Sequence, residues 1–439
     1  MRRHYRPPIR KLIFTYLYLT RRFLMTKTVK SSNKSWKKTF FQIYIGQTFS
    51  LLSSSVVQFS IIWWITITTG SPIAITIASV VGLLPQAILG LFAGVWIDRY
   101  NRKLIMITAD ILVATSSLAL FILFILGYES IIIVYVTLFL RAIGETFHKP
   151  ALQAIIPSLV PKAELTKAGG MGQMVNSATN ILGPMLGALI MSITTLPFAM
   201  LLDVIGAFMA VLTLAGISVP TSKSKSEHPP ILKDIKEGFQ AFRSNKVLIR
   251  LALPMLITTI IFVPIGTFFP IMVQSFFNGT AWHNGLVQTL FGVGMLISAM
   301  IIGITGGLKK QFLMIGLSSS ILGLCAFIIG FLTSNLFFVF CIVIFIIGCM
   351  GMGFSIPFTA YVQKSIDDKH LGKVLSLITS VMSFAAPVSM FIAGPVSEII
   401  GIDNWMKIAG ITMIICGLIS YLLAKPYEKK ETTHEKQAY

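Results

Sequence analysis

Apolar stretches separated by short polar connections follow one another along most of the chain. Each stretch runs for roughly 18–25 residues, enough for an α-helix to cross about 30 Å of hydrocarbon at about 1.5 Å per residue. Lipid cannot satisfy the hydrogen bonds of irregular backbone, so repeated spans of this length predict a helical bundle. The predicted fold class is an all-α membrane protein. We predict twelve transmembrane helices, at roughly 39–66, 73–95, 104–126, 131–149, 168–193, 198–219, 247–276, 284–307, 311–332, 336–358, 371–397 and 404–424.

Positive charge lies almost entirely in alternate connections between these spans. Of 36 Lys and Arg, only Arg141 and Lys407 fall outside the tails and loops at 1–38, 99–103, 149–167, 223–250, 309–310, 364–373 and 425–436. This is the positive-inside pattern of a multi-pass membrane protein, and it predicts that both termini lie in the cytoplasm. The net charge of +20 therefore reflects topology, and no nucleic-acid partner is expected. A hydrophobic content of 55% agrees with a lipid-bilayer environment.

The chain divides into two similar halves. The longest polar break leaves six spans on either side, and the halves match at an offset of about 205 residues, since Pro150 corresponds to Pro357 and Pro184 to Pro387. A duplication of this kind favours a transporter with its cavity between the halves, although a channel or a membrane enzyme could also carry one. The predicted organisation is a basic N-terminal segment at 1–38, a six-helix bundle at 39–219, a linker at 220–246, a second bundle at 247–424 and a tail at 425–439.

Two segments outside the spans carry further predictions. In the linker, apolar residues from Ile231 to Phe242 recur at helical spacing opposite charged ones, which predicts an amphipathic helix on the inner membrane face that ties the halves together. A plain solvated linker is the alternative. Residues 1–24 carry basic side chains around a short apolar run, so we expect them to be an upstream extension, disordered or lying on the membrane surface, with the working start at Met25.

Ionisable residues inside the spans are candidates for proton coupling. Arg141 lies eight residues before Lys149, about 12 Å in from the inner surface by helical rise. A buried guanidinium needs a partner. Glu145 lies one turn away and Asp110 is expected at a similar depth, so these residues form either a proton-coupling group or a structural clamp. Asp203, early in span 6 and toward the outer side, either is protonated, meets a cationic substrate, or hydrogen-bonds near the outer mouth.

The connection between spans 2 and 3 resembles the loop signature of the major facilitator superfamily, G-x-x-x-D-R/K-x-G-R-R/K. The resemblance implies a gating loop in which Gly94 allows close helix packing and Asp98 accepts hydrogen bonds at the start of span 11, near Leu371. It would also pair Arg102 with Glu145. Asn101 replaces the second glycine of the signature, and we expect it to adopt the left-handed backbone that the turn requires. The matching residues are Gly94, Asp98, Arg99, Arg102 and Lys103.

Span 5 resembles the antiporter signature of the same superfamily, G-P-x-x-G, through Gly183, Pro184 and Gly187. Small residues permit close helix approach, and the proline removes one backbone hydrogen bond, so a bent helix is expected. Shorter stretches, such as Phe139–Gly144 and Phe147–Leu152, are similar to the macrolide-efflux branch of its drug exporters. That similarity implies a transporter in the bacterial cytoplasmic membrane that exports macrolide-type antibiotics by proton antiport with alternating access.

Other functions stay open at this point. An exporter of a siderophore or another endogenous metabolite could use the same fold, and so could a membrane subunit that partners an ATP-binding protein. The chain contains no P-loop, HExxH or GxSxG motif, so neither ATP-driven transport nor enzymatic hydrolysis is expected. The four cysteines lie inside predicted spans without CxxC spacing. We therefore expect no metal site, no cofactor and no disulfide framework; the expected partners are a small-molecule drug, protons and lipid.

Overall fold

The computed structural model describes residues 9–161, 164–217, 231–308 and 310–437. Within these ranges it does not describe the side chains of 9–35, 91, 95, 98, 166, 231–235, 368, 369 and 428–437. The described chain is helical and contains no strand, and twelve of its helical segments are long and apolar enough to cross a membrane. The predicted fold class is therefore confirmed.

The helices fall into two groups of six membrane-spanning segments. The first half comprises α1 (Ile9–Thr69), α2 (Pro72–Arg99), α3 (Arg102–Ile125), α4 (Ile131–Leu159), α5 (Leu165–Ile193) and α6 (Leu196–Ala215). The second half follows the linker helix α7 (Ile231–Ser244). It comprises α8 (Lys246–Thr267) with its short continuation α9 (Phe269–Ile271) and a π-helical turn at Met272–Phe276, then α10 (Ala281–Thr305), α11 (Gln311–Ile329), α12 (Phe337–Ser365), α13 (Asp368–Ile400) and α14 (Ile402–Gln437).

Helix α1 differs from the sequence expectation at its start. It continues without a break from Ile9 into the first span, whose apolar part is Trp36–Thr69. Residues 9–24 are therefore helical and not disordered, while their placement on the membrane surface and a working start at Met25 remain predictions. Residues 1–8 lie outside the described chain.

Short polar residues start several of the helices. Ser71 accepts a hydrogen bond from the backbone N–H of Ala74 at the start of α2, and Pro72 occupies the first helical position, where its missing N–H costs nothing. Asn101 starts α3 by accepting from the backbone N–H groups of Lys103 and Leu104 at 3.0 and 3.4 Å. Its φ is −67°, so the left-handed backbone expected there is wrong. Asn101 serves instead as a helix cap, which needs an extended backbone.

Close helix crossings hold the second half together. The most extensive one joins α11 and α14, where Gly323 and Gly410 face each other. A Cβ on Gly323 would lie 2.5 Å from the carbonyl oxygen of Gly410, so only glycine permits this approach. Membrane helices associate largely through such van der Waals packing, because lipid is as apolar as their side chains.

The predicted helix in the linker is present as α7. It packs against α13, where Lys373 forms an ion pair with Glu237 and the backbone of Gly238 approaches the carbonyl of Lys373. Its other main neighbour is α8. Both neighbours belong to the second half, so α7 is anchored to that half rather than placed evenly between the two.

Candidate functional site

The two halves meet at the face where α2 begins and α13 ends. Glu398, near the end of α13, accepts hydrogen bonds from the hydroxyl of Ser71 at 3.0 Å and from the backbone N–H of Ile73 at 3.3 Å. Deeper along the same crossing, a Cβ on Gly394 would lie 2.8 Å from Cβ of Thr76. We call this side of the molecule the Glu398 face and the opposite side, where α7 lies, the α7 face.

Helix α5 forms the second contact between the halves, against α10. A Cβ on Gly285 would lie 3.1 Å from the carbonyl oxygen of Pro184, and Gly292 packs against Ile181. Gly285 lies near the start of α10, so this contact too is on the Glu398 side of the membrane. The molecule is therefore closed at the Glu398 face.

A cavity of about 1210 Å³ lies between the halves. Helices α1, α2, α4 and α5 line it from the first half, and α8, α9, α10 and α13 from the second. Its wall combines aromatic rings with neutral amides and hydroxyls, including Phe59, Phe291, Phe384, Gln58, Asn180 and Gln288. Ligand pockets typically measure about 300–1,000 Å³, so this space accommodates a bulky amphipathic molecule.

The cavity opens toward the α7 face. Several of its lining residues on that side are exposed: Gln86, Gly90, Lys149, Gln153 and Thr379. Lining residues nearer the Glu398 face, such as Ile75 and Phe269, are buried. A solute can therefore reach the cavity from one side of the membrane only.

Arg141 and Asp203 form an ion pair buried in the first half. Each residue is 1% exposed, and the pair joins α4 to α6. Ser117 on α3 donates to Asp203 at 2.8 Å and accepts from Arg141 at 3.2 Å. Ser54 on α1 donates its hydroxyl proton to Asp203 at 3.1 Å, and its carbonyl accepts from Arg141 at 3.1 Å.

This pair corrects two expectations. The carboxylate that neutralises Arg141 is Asp203 rather than Glu145 or Asp110. Asp203 lies seven residues into α6, roughly 10 Å along the helix, which brings it to the level of Arg141 instead of the outer mouth. The sequence contained the signal, since both charges sit in long apolar runs, but it could not show which helices adjoin.

Asp110 forms a separate polar group with α1 and α4. Its Oδ1 accepts a hydrogen bond from the hydroxyl of Ser50 at 2.9 Å and lies 3.5 Å from Nε2 of His148. Asp110 Oδ2 has no hydrogen-bond partner among the described residues, and both amide atoms of Gln47, one helical turn before Ser50 on α1, are likewise buried without one. Asp110 and Arg141 therefore belong to two different buried clusters.

Glu145 lies on the cavity wall. Its carboxylate accepts from Nζ of Lys149 at 2.9 Å, one helical turn further along α4. Arg102, its expected partner, donates through Nη1 to the carbonyl of Ala154 at 2.7 Å. Glu145 therefore pairs with Lys149 and not with Arg102, the partner that the family signature implies. Lys149 lies one turn away on the same face of α4, close enough to donate to the carboxylate.

The residues of the expected gating loop lie at the α7 face. Lys103 donates to the carbonyls of Ala215 and Ile217 at 3.0 and 2.7 Å, which ties α3 to the end of α6. Arg99 is exposed, and the side chain of Asp98 lies outside the described residues. A Cβ on Gly94 would meet no atom within 4 Å. No neighbouring helix therefore packs closely against this glycine in the structure, in which the two halves are separated at the α7 face.

The residues of the expected antiporter signature lie where α5 crosses α1. A Cβ on Gly183 would collide with the side chain of Ser55, and one on Gly187 would lie 2.7 Å from the ring of Phe59. Pro184 lines the cavity between them. These small residues therefore set the distance between two helices that border the cavity.

Three functional candidates were missed in the sequence. Ser54 and Ser117 link the buried ion pair, and Glu398 closes one face. A serine run in the first span was visible as Ser53–Ser55, but serine also occurs in membrane helices for close packing. Glu398 follows an apolar span and was indistinguishable from any polar residue at a membrane edge.

Two helical halves around a central cavity that is open on one side define a membrane transporter. Residues 34–439 match the family model described as "Transmembrane secretion effector". The chain belongs to this family, which is part of the major facilitator superfamily. It is a multi-pass efflux transporter and not an enzyme.

Relatives and solved structures agree with this assignment. The chain is 36% identical over 389 residues to "Macrolide efflux protein A" of Streptococcus pyogenes, covering 87% of this chain and 95% of the relative. It is 25% identical to the "Staphyloferrin A transporter" of Staphylococcus aureus (strain NCTC 8325 / PS 47), covering 87% and 96%. A mutant form of the peptide transporter POT shares the fold with a TM-score of 0.71 at 14% identity, covering 89% of this chain and 95% of that one.

Proposed function

We propose that this transporter exports macrolide-type antibiotics from bacterial cells by alternating access, driven by proton antiport. The observation that carries the proposal is the large cavity between the halves, lined by aromatic and neutral polar groups and open on one side. Such a wall suits a bulky amphipathic drug. Similarity to the macrolide efflux protein supports the substrate class.

The proposed orientation puts the α7 face and both termini in the cytoplasm of a bacterial cell. Arg99, Arg102, Lys103, Lys149 and Lys167 belong to this face, in line with the positive-inside rule. The cavity then opens to the cytoplasm and the Glu398 face closes it to the outside. In this state the protein collects its substrate from the cytoplasm or the inner leaflet.

The buried charges supply the proposed proton coupling. Protonation of Asp203 would remove the counter-charge of Arg141 and free its guanidinium toward the cavity that it lines. Asp110 and Glu145 are further candidate carriers. A membrane potential of about 100 mV supplies roughly 2.3 kcal/mol per charge moved inward, which can drive the return of the emptied cavity.

The test is uptake of a labelled macrolide into proteoliposomes with an imposed pH gradient. We expect gradient-dependent transport that Arg141→Ala abolishes without loss of protein from the membrane. Equal acidification with and without the drug would contradict proton antiport. Absence of any transport by the purified protein would favour a membrane subunit that needs an ATP-binding partner.

A second candidate substrate is a siderophore, because one relative is the staphyloferrin A transporter. Growth of a deletion strain distinguishes the two functions. A macrolide exporter is required under macrolide challenge, whereas a siderophore exporter is required under iron limitation.

A further inference from the structure

We propose that Glu145 binds the protonated amine of the exported compound, and that Lys149 occupies this carboxylate while the cavity is empty. The proposal rests on the proposed export function and names the chemistry of its substrates: lipophilic molecules with one basic amine. The ion pair Glu145–Lys149 is then an exchangeable contact rather than a fixed structural one.

Glu145 carries the only carboxylate among the described residues that line the cavity. Its side chain is 37% exposed, so it faces the cavity space and not a helix interface. The other charged lining residues are Arg141 and Lys149. Arg141 is paired with Asp203 and also interacts electrostatically with Glu145, whereas Lys149 is the cation that is hydrogen-bonded to Glu145.

Charge balance favours replacement of the Lys149 ammonium by a substrate ammonium at Glu145. The two pairs, Arg141 with Asp203 and Glu145 with Lys149, leave the cavity wall without net charge. A substrate ammonium that replaces the Lys149 ammonium keeps Glu145 neutralised, so no carboxylate is left unpaired in a partly desolvated space. An anionic substrate would instead have to displace Glu145 from Lys149.

Moving the Lys149 ammonium away from Glu145 costs little free energy. Its side chain is 56% exposed at the side where the cavity opens, and a lysine stem readily moves its charge to water. Ion pairs four residues apart on an exposed helix surface are weak. Phe59, Phe291 and Phe384, on the same cavity wall, provide apolar surface for the body of an amphipathic ligand.

The experiment measures binding to the purified full-length protein at pH 7. One ligand is a macrolide with a dimethylamino sugar; the other is the same macrolide after N-demethylation and N-acetylation, which makes the nitrogen neutral. The variants are Glu145→Gln and Lys149→Gln. Asp403→Asn is the matched control, since Asp403 also pairs with a lysine four residues later, Lys407, but lies outside the cavity.

We expect Glu145→Gln to weaken binding of the amine by roughly tenfold or more and to leave the neutral analogue unchanged within about twofold. Lys149→Gln should strengthen binding of the amine, because its competitor is gone, and Asp403→Asn should change neither ligand. Equal losses for both ligands in Glu145→Gln, or no loss for the amine, would overturn the proposal.

A separate titration distinguishes failure of the macrolide-export proposal from failure of the proposed Glu145 subsite. If the wild-type protein binds neither macrolide, the variants are titrated with the permanent lipophilic cation tetraphenylphosphonium. Weaker binding of this cation in Glu145→Gln alone would sustain the subsite without macrolide export, whereas identical binding in every variant would end it.

Discussion

A buried charge inside a membrane protein persists only where its surroundings supply a counter-charge and hydrogen bonds. Arg141 meets this condition through Asp203, Ser54 and Ser117, which come from three other helices. Removing one partner of such a pair is far more harmful than replacing both by apolar groups, because the remaining charge stays desolvated. The role of the Arg141–Asp203 pair in stability and its role in proton coupling can therefore be tested with different variants.

We predict that Asp203→Asn lowers the free energy of unfolding by roughly 3–5 kcal/mol, because Arg141 keeps its charge without a counter-ion. The double variant Arg141→Met/Asp203→Leu should recover most of this stability but no proton-coupled transport. Thermal unfolding can be followed with a thiol-reactive dye, since Cys325, Cys341 and Cys416 are buried in the folded protein. A double variant that still pumps would exclude the pair from coupling.

Helix crossings impose a second kind of constraint, in which the size of one side chain sets the spacing of two helices. Gly183 on α5 faces Ser55 on α1, whose hydroxyl donates to the carbonyl of Thr179 at 3.2 Å. Gly170, on the same helix, has open space around the position of a Cβ. The two glycines thus differ in surroundings while sharing a helix.

We predict that Gly183→Ala lowers the free energy of unfolding by about 1–3 kcal/mol, because the added methyl forces α5 away from α1. Gly170→Ala should be neutral or stabilising by up to about 1 kcal/mol, since alanine favours the helix and meets no neighbour. Paired thermal melts in one detergent measure both. Equal melting temperatures would show that α1 and α5 can separate freely.

A contact at helix ends joins the two halves at the closed Glu398 face. Glu398 places its carboxylate against the first turn of α2, where unpaired N–H groups and the helix dipole favour negative charge. This contact joins one half to the other, so its strength contributes directly to closure of the Glu398 face.

We predict that Glu398→Gln raises the population open at this face by about 2- to 30-fold, the equivalent of about 0.3–2 kcal/mol for a charge at a helix N-terminus. A cysteine at Thr76, which is 3% exposed in the closed molecule, reports opening through its rate of reaction with a membrane-impermeant maleimide. Glu129→Gln is the control, because Glu129 is exposed at the same face away from α13. An unchanged rate in Glu398→Gln would remove this contact from gating.

At the scale of the whole molecule, the sequence predicted the twelve spans and the two halves but not the pairing of helices. Arg141 was recognisable as a buried charge because it interrupts an apolar run. Its partner was not, because helices in lipid are apolar on every side and their pattern does not mark the face that packs against a neighbour. For the same reason, the closed face and the role of Glu398 became visible only in three dimensions.

The closed Glu398 face must open for any cargo to leave, and a covalent link across it tests this directly. Thr76 and Gly394 face each other where α2 crosses α13, with the Cβ positions 2.8 Å apart. A disulfide needs about 3.8 Å between Cβ atoms, so α2 and α13 have to part by roughly 1 Å at this buried crossing for the bond to form. We predict that the double variant Thr76→Cys/Gly394→Cys loses efflux after oxidation and regains it after reduction, while each single variant transports in both conditions. Drug binding from the α7 face should survive oxidation, because the cavity stays open there. Efflux by a fully cross-linked protein would mean that the cargo leaves without separation of α2 from α13, and alternating access through this face would then be wrong.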